Sequence, residues 1–259
     1  MKSLKFRIFL LITLIASSAY SQEEKKQHTI YIDTGMDFIS AEPPEKEYIR
    51  ASVNQYFFDY PATSLRALLY KNHIGFKYET RILRNKLGIL SGVRYTRMES
   101  SLGKETYWSD RSDFFYLLFS EDQTKTEYMK VKEINQVAGY IGIPLELNIY
   151  PYIKERKSNI YVYYKIGSDF NFRIHSRTGA VFSNDAMEQY EDDVAGIVEK
   201  PWSFYSSFHL GVGLRIGKPD KPGANIEFLY PAAIWGQNSK GLVNPEAGGG
   251  VQVNLRLPF

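Results

Sequence analysis

The chain predicts an all-β fold, an eight-stranded antiparallel up-and-down transmembrane β-barrel with three long extracellular loops, on three observations. Runs of strand length are apolar at every second position, the period of a strand with one greasy and one polar face. The connections between these runs alternate long and short, as they do when loops lie outside the cell and turns in the periplasm. The chain begins with an export-type segment, which sends such strands towards a membrane.

In that segment Lys2, Lys5 and Arg7 precede a short apolar run, Phe9 to Ile15, and Ala19 and Ser21 place small residues before a cut ahead of Gln22. The run is too short and wrongly flanked for a retained helix, so residues 1–21 are expected to be a signal peptide and 22–259 the barrel domain. No second apolar run is long enough to span as a helix. The chain has no cysteine, which excludes disulfides and a lipid-anchored cysteine at the mature start. It is rich in aromatics, with 20 Tyr and 16 Phe, and nearly charge-neutral at +3. That balance includes the basic signal, so nothing points to nucleic acid as a partner.

Eight strands follow. The first, about Thr29 to Ile39, sets Ile30, Ile32, Thr34, Met36 and Phe38 against Tyr31, Asp33, Gly35 and Asp37. The second ends near Leu83, with Ile74, Phe76, Tyr78 and Ile82 opposite His73, Lys77, Glu79 and Arg81. The third sets Leu87, Ile89, Val93 and Tyr95 against Gly88, Arg94 and Thr96, with Leu90 on the inner face. The fourth alternates Val137, Ile141, Ile143, Leu145, Leu147 and Ile149 with Tyr140, Pro144, Glu146 and Asn148. In the fifth, Ile160, Val162, Tyr164, Ile166, Phe170 and Phe172 oppose Lys165, Asp169, Asn171 and Arg173. The sixth alternates Trp202, Phe204, Phe208, Leu210, Val212, Leu214 and Ile216 with Tyr205, Ser207, His209 and Arg215. The seventh has Ile226, Phe228, Tyr230 and Ile234 opposite Asn225 and Glu227. The last closes the chain with Val251, Val253, Leu255, Leu257 and Phe259 outward and Gln252, Asn254 and Arg256 inward. A final strand ending on an aromatic is read as a barrel-assembly signal, carried by Val253, Leu255, Leu257 and Phe259.

Long loops are expected at about Ser40–Ser64, Ser100–Glu133 and Ser176–Pro201, and short turns at Arg84–Lys86, Lys154–Asn159 and Lys218–Gly223. Gly236–Glu246 is of middling length. A soluble sandwich has no reason to sort its loops in this way. A soluble ligand-binding barrel would line its cavity with the apolar face instead.

The stretch Tyr140-Ile141-Gly142-Ile143-Pro144-Leu145-Glu146-Leu147 resembles the fourth-strand motif of the PorT-like outer-membrane β-barrel family of Bacteroidetes. Tyr163-Tyr164-Lys165-Ile166-Gly167, Gly211-Val212-Gly213-Leu214 and the terminal Phe259 fit the same pattern. The resemblance spans essentially the whole mature chain. It implies an eight-stranded outer-membrane barrel and implies no secretion activity. Gly142 departs from the larger residue usual in the family, and the loops around Asp59 and Glu191 match no known pattern.

The inward positions bring Asp33, Asp37, Glu79, Glu146, Asp169 and Glu227 together with Lys77, Arg81, Arg94, Lys165, Arg173, Arg215 and Arg256. The two signs nearly balance. An eight-stranded lumen is just wide enough to be filled by side chains, and unpaired buried charge is costly. A salt-bridged interior plug is therefore expected, against the alternative of a narrow ion or small-solute channel.

Catalysis is a lesser reading. His175, beside Ser176 and near Ser183 and Asp185, offers a rim-sited Ser-His-Asp set; His28 lies near the mature start, and His73 and His209 fall inward as members of the polar core. No nucleophile elbow, metal-ligand spacing or glycine-rich phosphate loop is present, so no catalytic, cofactor or metal residue is assigned. The acidic run Glu188 to Asp193 reads as a solvated tip, with no spacing that defines a divalent-ion site. The loops also hold aromatics: Tyr48, Tyr56, Phe57, Phe58 and Tyr60, then Tyr107, Trp108, Phe114, Phe115 and Tyr116, and Tyr190. They suit either a protein contact or the outer aromatic girdle, and Phe114–Phe119 also reads as a strand continuation. The expected partners are outer-membrane lipid, the barrel-assembly machinery during biogenesis, and a protein bound through the loops.

Overall fold

The computed structural model describes residues 28–42, 49–51, 67–83, 85–103, 115–122, 125–151, 159–218, 221–236 and 241–259. The signal segment, Asp59, and Tyr48, Tyr56, Phe57, Phe58, Tyr60, Tyr107, Trp108 and Phe114 lie outside these residues. Among the described residues the chain forms ten strands: β1 (His28–Glu42), β2 (Ile49–Ala51), β3 (Ala67–Ile82), β4 (Leu87–Leu102), β5 (Phe115–Asp122), β6 (Lys125–Ile149), β7 (Ile160–Phe182), β8 (Phe204–Ile216), β9 (Gly223–Gly236) and β10 (Asn244–Pro258). A 3₁₀ helix, Asp185–Tyr190, runs into one short helix, α1 (Glu191–Ile197).

Eight strands pair antiparallel in the ring β1-β3-β4-β6-β7-β8-β9-β10, and β10 pairs back to β1, so the sheet closes. Phe259 seals that seam, its amide donating to the His28 carbonyl at 3.0 Å. The eight strands of the ring show the predicted period. Ile30, Phe76, Val93, Ile143, Val162, Val212, Phe228 and Leu255 are exposed on the outer wall, and their sequence neighbours are buried or partly buried inside. The wall is thus apolar outside and charged inside, the inverse of a water-soluble barrel.

The strands run further than their apolar repeats suggest. β6 spans 25 residues and β7 spans 23, whereas about 9–11 cross a bilayer. The excess lies at the long-loop end. There the segment expected as one loop at Ser100–Glu133 is mostly a hairpin, β5 pairing with β6 and the three-residue β2 adding to β5. Third-loop residues Ser176–Phe182 likewise continue β7 along β6.

Three further differences have local causes. Ile234, expected outward, is partly buried against the interior. His209 pairs with Pro231 but Phe208 with Ala233, so Ala232 is an extra residue and the faces exchange beyond it. Trp202, expected as the first outward residue of its strand, precedes β8 and packs on Tyr205 with ring centroids 6.3 Å apart. A second bulge makes Ile174 the extra residue opposite Gly139 and Tyr140.

Candidate functional site: a charged lumen beneath an apolar cap

The central barrel is filled by charge. Among the described residues, six carboxylates (Asp33, Asp37, Glu79, Glu146, Asp169, Glu227) and seven cations (Lys71, Lys77, Arg81, Arg94, Lys165, Arg215, Arg256) are buried. Arg94 is the hub. Its two terminal nitrogens reach Asp169 and Asp33 at 2.7 Å each, and Nη2 also reaches Glu146 at 3.0 Å. Glu146 in turn accepts from Lys77 at 2.9 Å and Lys165 at 2.6 Å, and Lys165 also pairs with Glu227. The planar guanidinium serves three strands at once, which a lysine point charge does not do.

Towards the long-loop end Lys71 binds Asp37 at 2.6 Å. Two histidines are wedged into the cluster: His73 contacts Gln252 at 3.2 Å, and His209 lies between Asp169 and Glu146 at 3.9 and 4.0 Å. Towards the chain termini the charges are set among tyrosines. Tyr31 and Tyr150 both donate to Glu79 at 2.6 Å, and Arg215 donates to Tyr150 at 2.7 Å. The Arg81 guanidinium stacks on the Tyr150 ring at 4.4 Å, a cation–π contact strengthened by burial. Tyr163 donates to Glu227, and its ring lies flat on Gly213, where a Cβ would sit 2.2 Å from Cζ. Arg256 donates to the Lys218 carbonyl at the turn end.

Twelve of the thirteen charged residues expected inside meet in this lumen. Arg173 does not. It is half-buried and donates to the Pro201 carbonyl while its amide donates to Ser203 at 2.9 Å. It sits beside the Ile174 bulge, at the height where the interior changes character.

Above that height the interior is apolar. Ile39, Leu69, Met98, Leu102, Phe115, Leu117, Met129, Val131, Ile134, Ala138 and Phe182 pack together under Val194, Val198, Leu242 and Val243. Tyr140 and Tyr205 meet edge to face at 4.8 Å on its underside. The segment 198–203 crosses the mouth and three side chains hold its carbonyls: Gln136 that of Glu199 at 2.6 Å, Tyr140 that of Trp202 at 3.1 Å, and Arg173 that of Pro201. Among the described residues a cavity of about 20 Å³, room for a single water, lies beneath it between Leu69, Tyr140, Trp202 and Leu242.

Sequence reasoning missed Lys71 and this cap. Lys71 lies before the expected strand start, but Leu69, Lys71 and His73 already carried the two-residue period. Nothing local marks Val194, Val198 or Leu242 as capping residues.

The remaining candidates are placed as follows. His175 faces outward and shares a 3.2 Å hydrogen bond with Tyr95, while Asp185 begins the 3₁₀ helix. Glu191, Asp192 and Asp193 form the first turn of α1, where carboxylates favour the helix dipole. Phe115 is buried in the cap, and Tyr116 and Tyr190 are half-buried. Val253, Leu255, Leu257 and Phe259 lie on the outer wall, and Phe259 stands 6.1 Å from His28 and 6.3 Å from Tyr78.

A closed antiparallel ring leaves no unpaired backbone against hydrocarbon, and here it carries an apolar wall around a polar, filled lumen. This defines an eight-stranded transmembrane β-barrel of the outer-membrane type. The chain is similar to the outer membrane protein OprG from Pseudomonas aeruginosa, with 10% identity over 90% of this chain and 97% of that one and a TM-score of 0.43. It is similar to Neisserial surface protein A (NspA), with 13% identity over 91% and 100% and a TM-score of 0.36. The third similarity is to Ail, the attachment invasion locus protein of Yersinia pestis, with 10% identity over 90% and 100% and a TM-score of 0.27. No protein-family model and no curated protein matches the chain.

Proposed function

We propose that this is an integral outer-membrane protein with a structural or interaction role, acting as an accessory subunit of a surface or secretion assembly. One observation carries the reading: the lumen is filled twice, by paired charge and by the apolar cap, so the work of the molecule falls to its ends. The strands that rise past the bilayer at the long-loop end form a rigid platform for a protein partner. The reading involves no catalytic step, cofactor or metal.

The proposal includes export with cleavage before Gln22, membership of the PorT-like family, and recognition of Val253, Leu255, Leu257 and Phe259 by the barrel-assembly machinery. Phe259 supports the last point, since the residue is 72% exposed beside the closing seam. Family membership is supported by the inward placement of Tyr140, Glu146, Tyr163 and Lys165 from the resembling motifs.

In-cell crosslinking of the tagged protein followed by mass spectrometry tests the role. A stoichiometric envelope-protein partner is expected. Recovery of lipid and assembly factors alone rejects the subunit reading, and steady conductance in a planar bilayer rejects the closed lumen.

A further inference from the structure

The outer wall is not uniformly apolar, and one change in it on β4 points to a ligand. On β4 the outward residues run Ile89, Ser91, Val93 and Tyr95, apolar or aromatic but for the small Ser91, and the next is Arg97. From Leu87 to Arg97 the strand climbs about 33 Å at roughly 3.3 Å per residue. At a tilt of about 45° that is about 23 Å of height, close to the ~25 Å apolar band of such barrels. Arg97 therefore stands at the edge of the hydrocarbon, on the long-loop side.

Register places a polar row around it. Asn72 of β3 pairs with Arg97, Arg97 with Gly139 of β6, and Gly139 with His175 of β7. Because Gly139 has no side chain, the His175 ring lies across it, where a Cβ would be 2.2 Å from Nε2. There it reaches Tyr95, the last aromatic of the band. One step higher Glu99, Val137 and Arg177 form the next row. Arg97 pairs with Glu99, but the two side chains are 53% and 38% exposed, and such a pair holds its partner weakly. The two rows carry two arginines against one carboxylate.

Directly below Asn72 and Arg97 the wall has a groove of about 680 Å³. Thr34, small and outward, forms its floor, Met36, Ile74, Tyr95 and Val251 form its sides, and Phe38 stands at its upper rim beside Asn72. Apolar sides topped by an amide and an exposed guanidinium match an acyl chain topped by a phosphate.

We propose that this groove is a seat for one phosphorylated glycolipid of the outer leaflet, of the lipid A class. One acyl chain lies over Thr34, and the phosphate is held by Arg97 and Asn72, with Arg177 adding charge from the row above. The choice of glycolipid rests on the outer-membrane reading, which puts the long-loop end in the outer leaflet. The strands rising two rows past Arg97 give a sugar headgroup a polar wall to lie against.

The test is native mass spectrometry of the full-length barrel, released from nonionic detergent after incubation with diphosphoryl lipid A or with phosphatidylglycerol. One retained equivalent of lipid A is expected. Arg97→Ala should cut retention at least tenfold, Met36→Trp should do the same by filling the groove with the charges intact, and Arg97→Lys should keep most of it. Retention unchanged by both Arg97→Ala and Met36→Trp overturns the site. Equal or preferred retention of phosphatidylglycerol overturns the glycolipid. Heat-modifiable gel mobility of the same samples reports the barrel, and its absence in the wild-type protein counts against the membrane reading itself rather than the seat.

Discussion

The lumen and the cap solve one packing problem with opposite chemistry. Both fill the inside of a narrow cylinder. The lumen does so with charges that each need several partners, as Glu146 has in Arg94, Lys77 and Lys165. The cap does so with side chains such as Leu117 and Ile134 that need only close contact. Partnered charge tolerates no deletion, because the group left behind keeps its desolvation cost. Apolar packing loses only the transfer and cavity terms of what is removed. The difference teaches where this molecule is specified by partners and where by volume.

The largest loss is expected at Glu146. Glu146→Ala leaves three cations facing one another, and urea unfolding in detergent should show a loss of about 3–5 kcal/mol or a failure to fold. Leu117→Ala in the cap should cost less, about 2–3 kcal/mol, towards the lower end of buried leucine truncations; an equal or larger loss would reverse the ranking.

Conductance sharpens the same contrast. If the two fillings act in series, Leu242→Ala should leave planar bilayers silent, because the ion pairs below still block the path. Leu242→Ala combined with Arg94→Ala should conduct in whatever fraction folds, and conduction by the first variant alone would show that the cap is the only barrier. Tyr140→Phe, which removes the donor to the Trp202 carbonyl, should cost about 1 kcal/mol, with faster amide exchange confined to 198–203. The smallest effect is expected outside: Arg97→Ala should change stability by under about 0.5 kcal/mol, since its partner is solvated. A loss near that of the Glu146 variant would mean the outer charge is structural.

The two regions also differ in how legible they were. The lumen follows from period two, because a strand that alternates Lys77, Glu79 and Arg81 with Phe76, Tyr78 and Thr80 has its faces set by its own residues. Eight strands that each bring charge to one face, nearly balanced in sign, allow few arrangements other than pairing. Arg173 shows the limit: its parity is inward, but its height in the barrel, which no local pattern encodes, gives it a backbone carbonyl instead of a carboxylate. Ile234 shows another, since one extra residue at Ala232 exchanges the faces without any break in composition. The cap lay beyond reach because Val194 and Val198 come from one connection and Leu242 and Val243 from another, two short apolar groups that meet only in space.

Spacing along the chain was enough to set the eight strands of the ring and most of their faces, since those depend on near neighbours in one segment, but not the added strands β2 and β5. The tertiary structure decided which face turned inward, how far the strands rise past the bilayer, and what closes the mouth. Closure joins β1 to β10 and brings 198–203 across the barrel, contacts between residues far apart in the chain that no local period records.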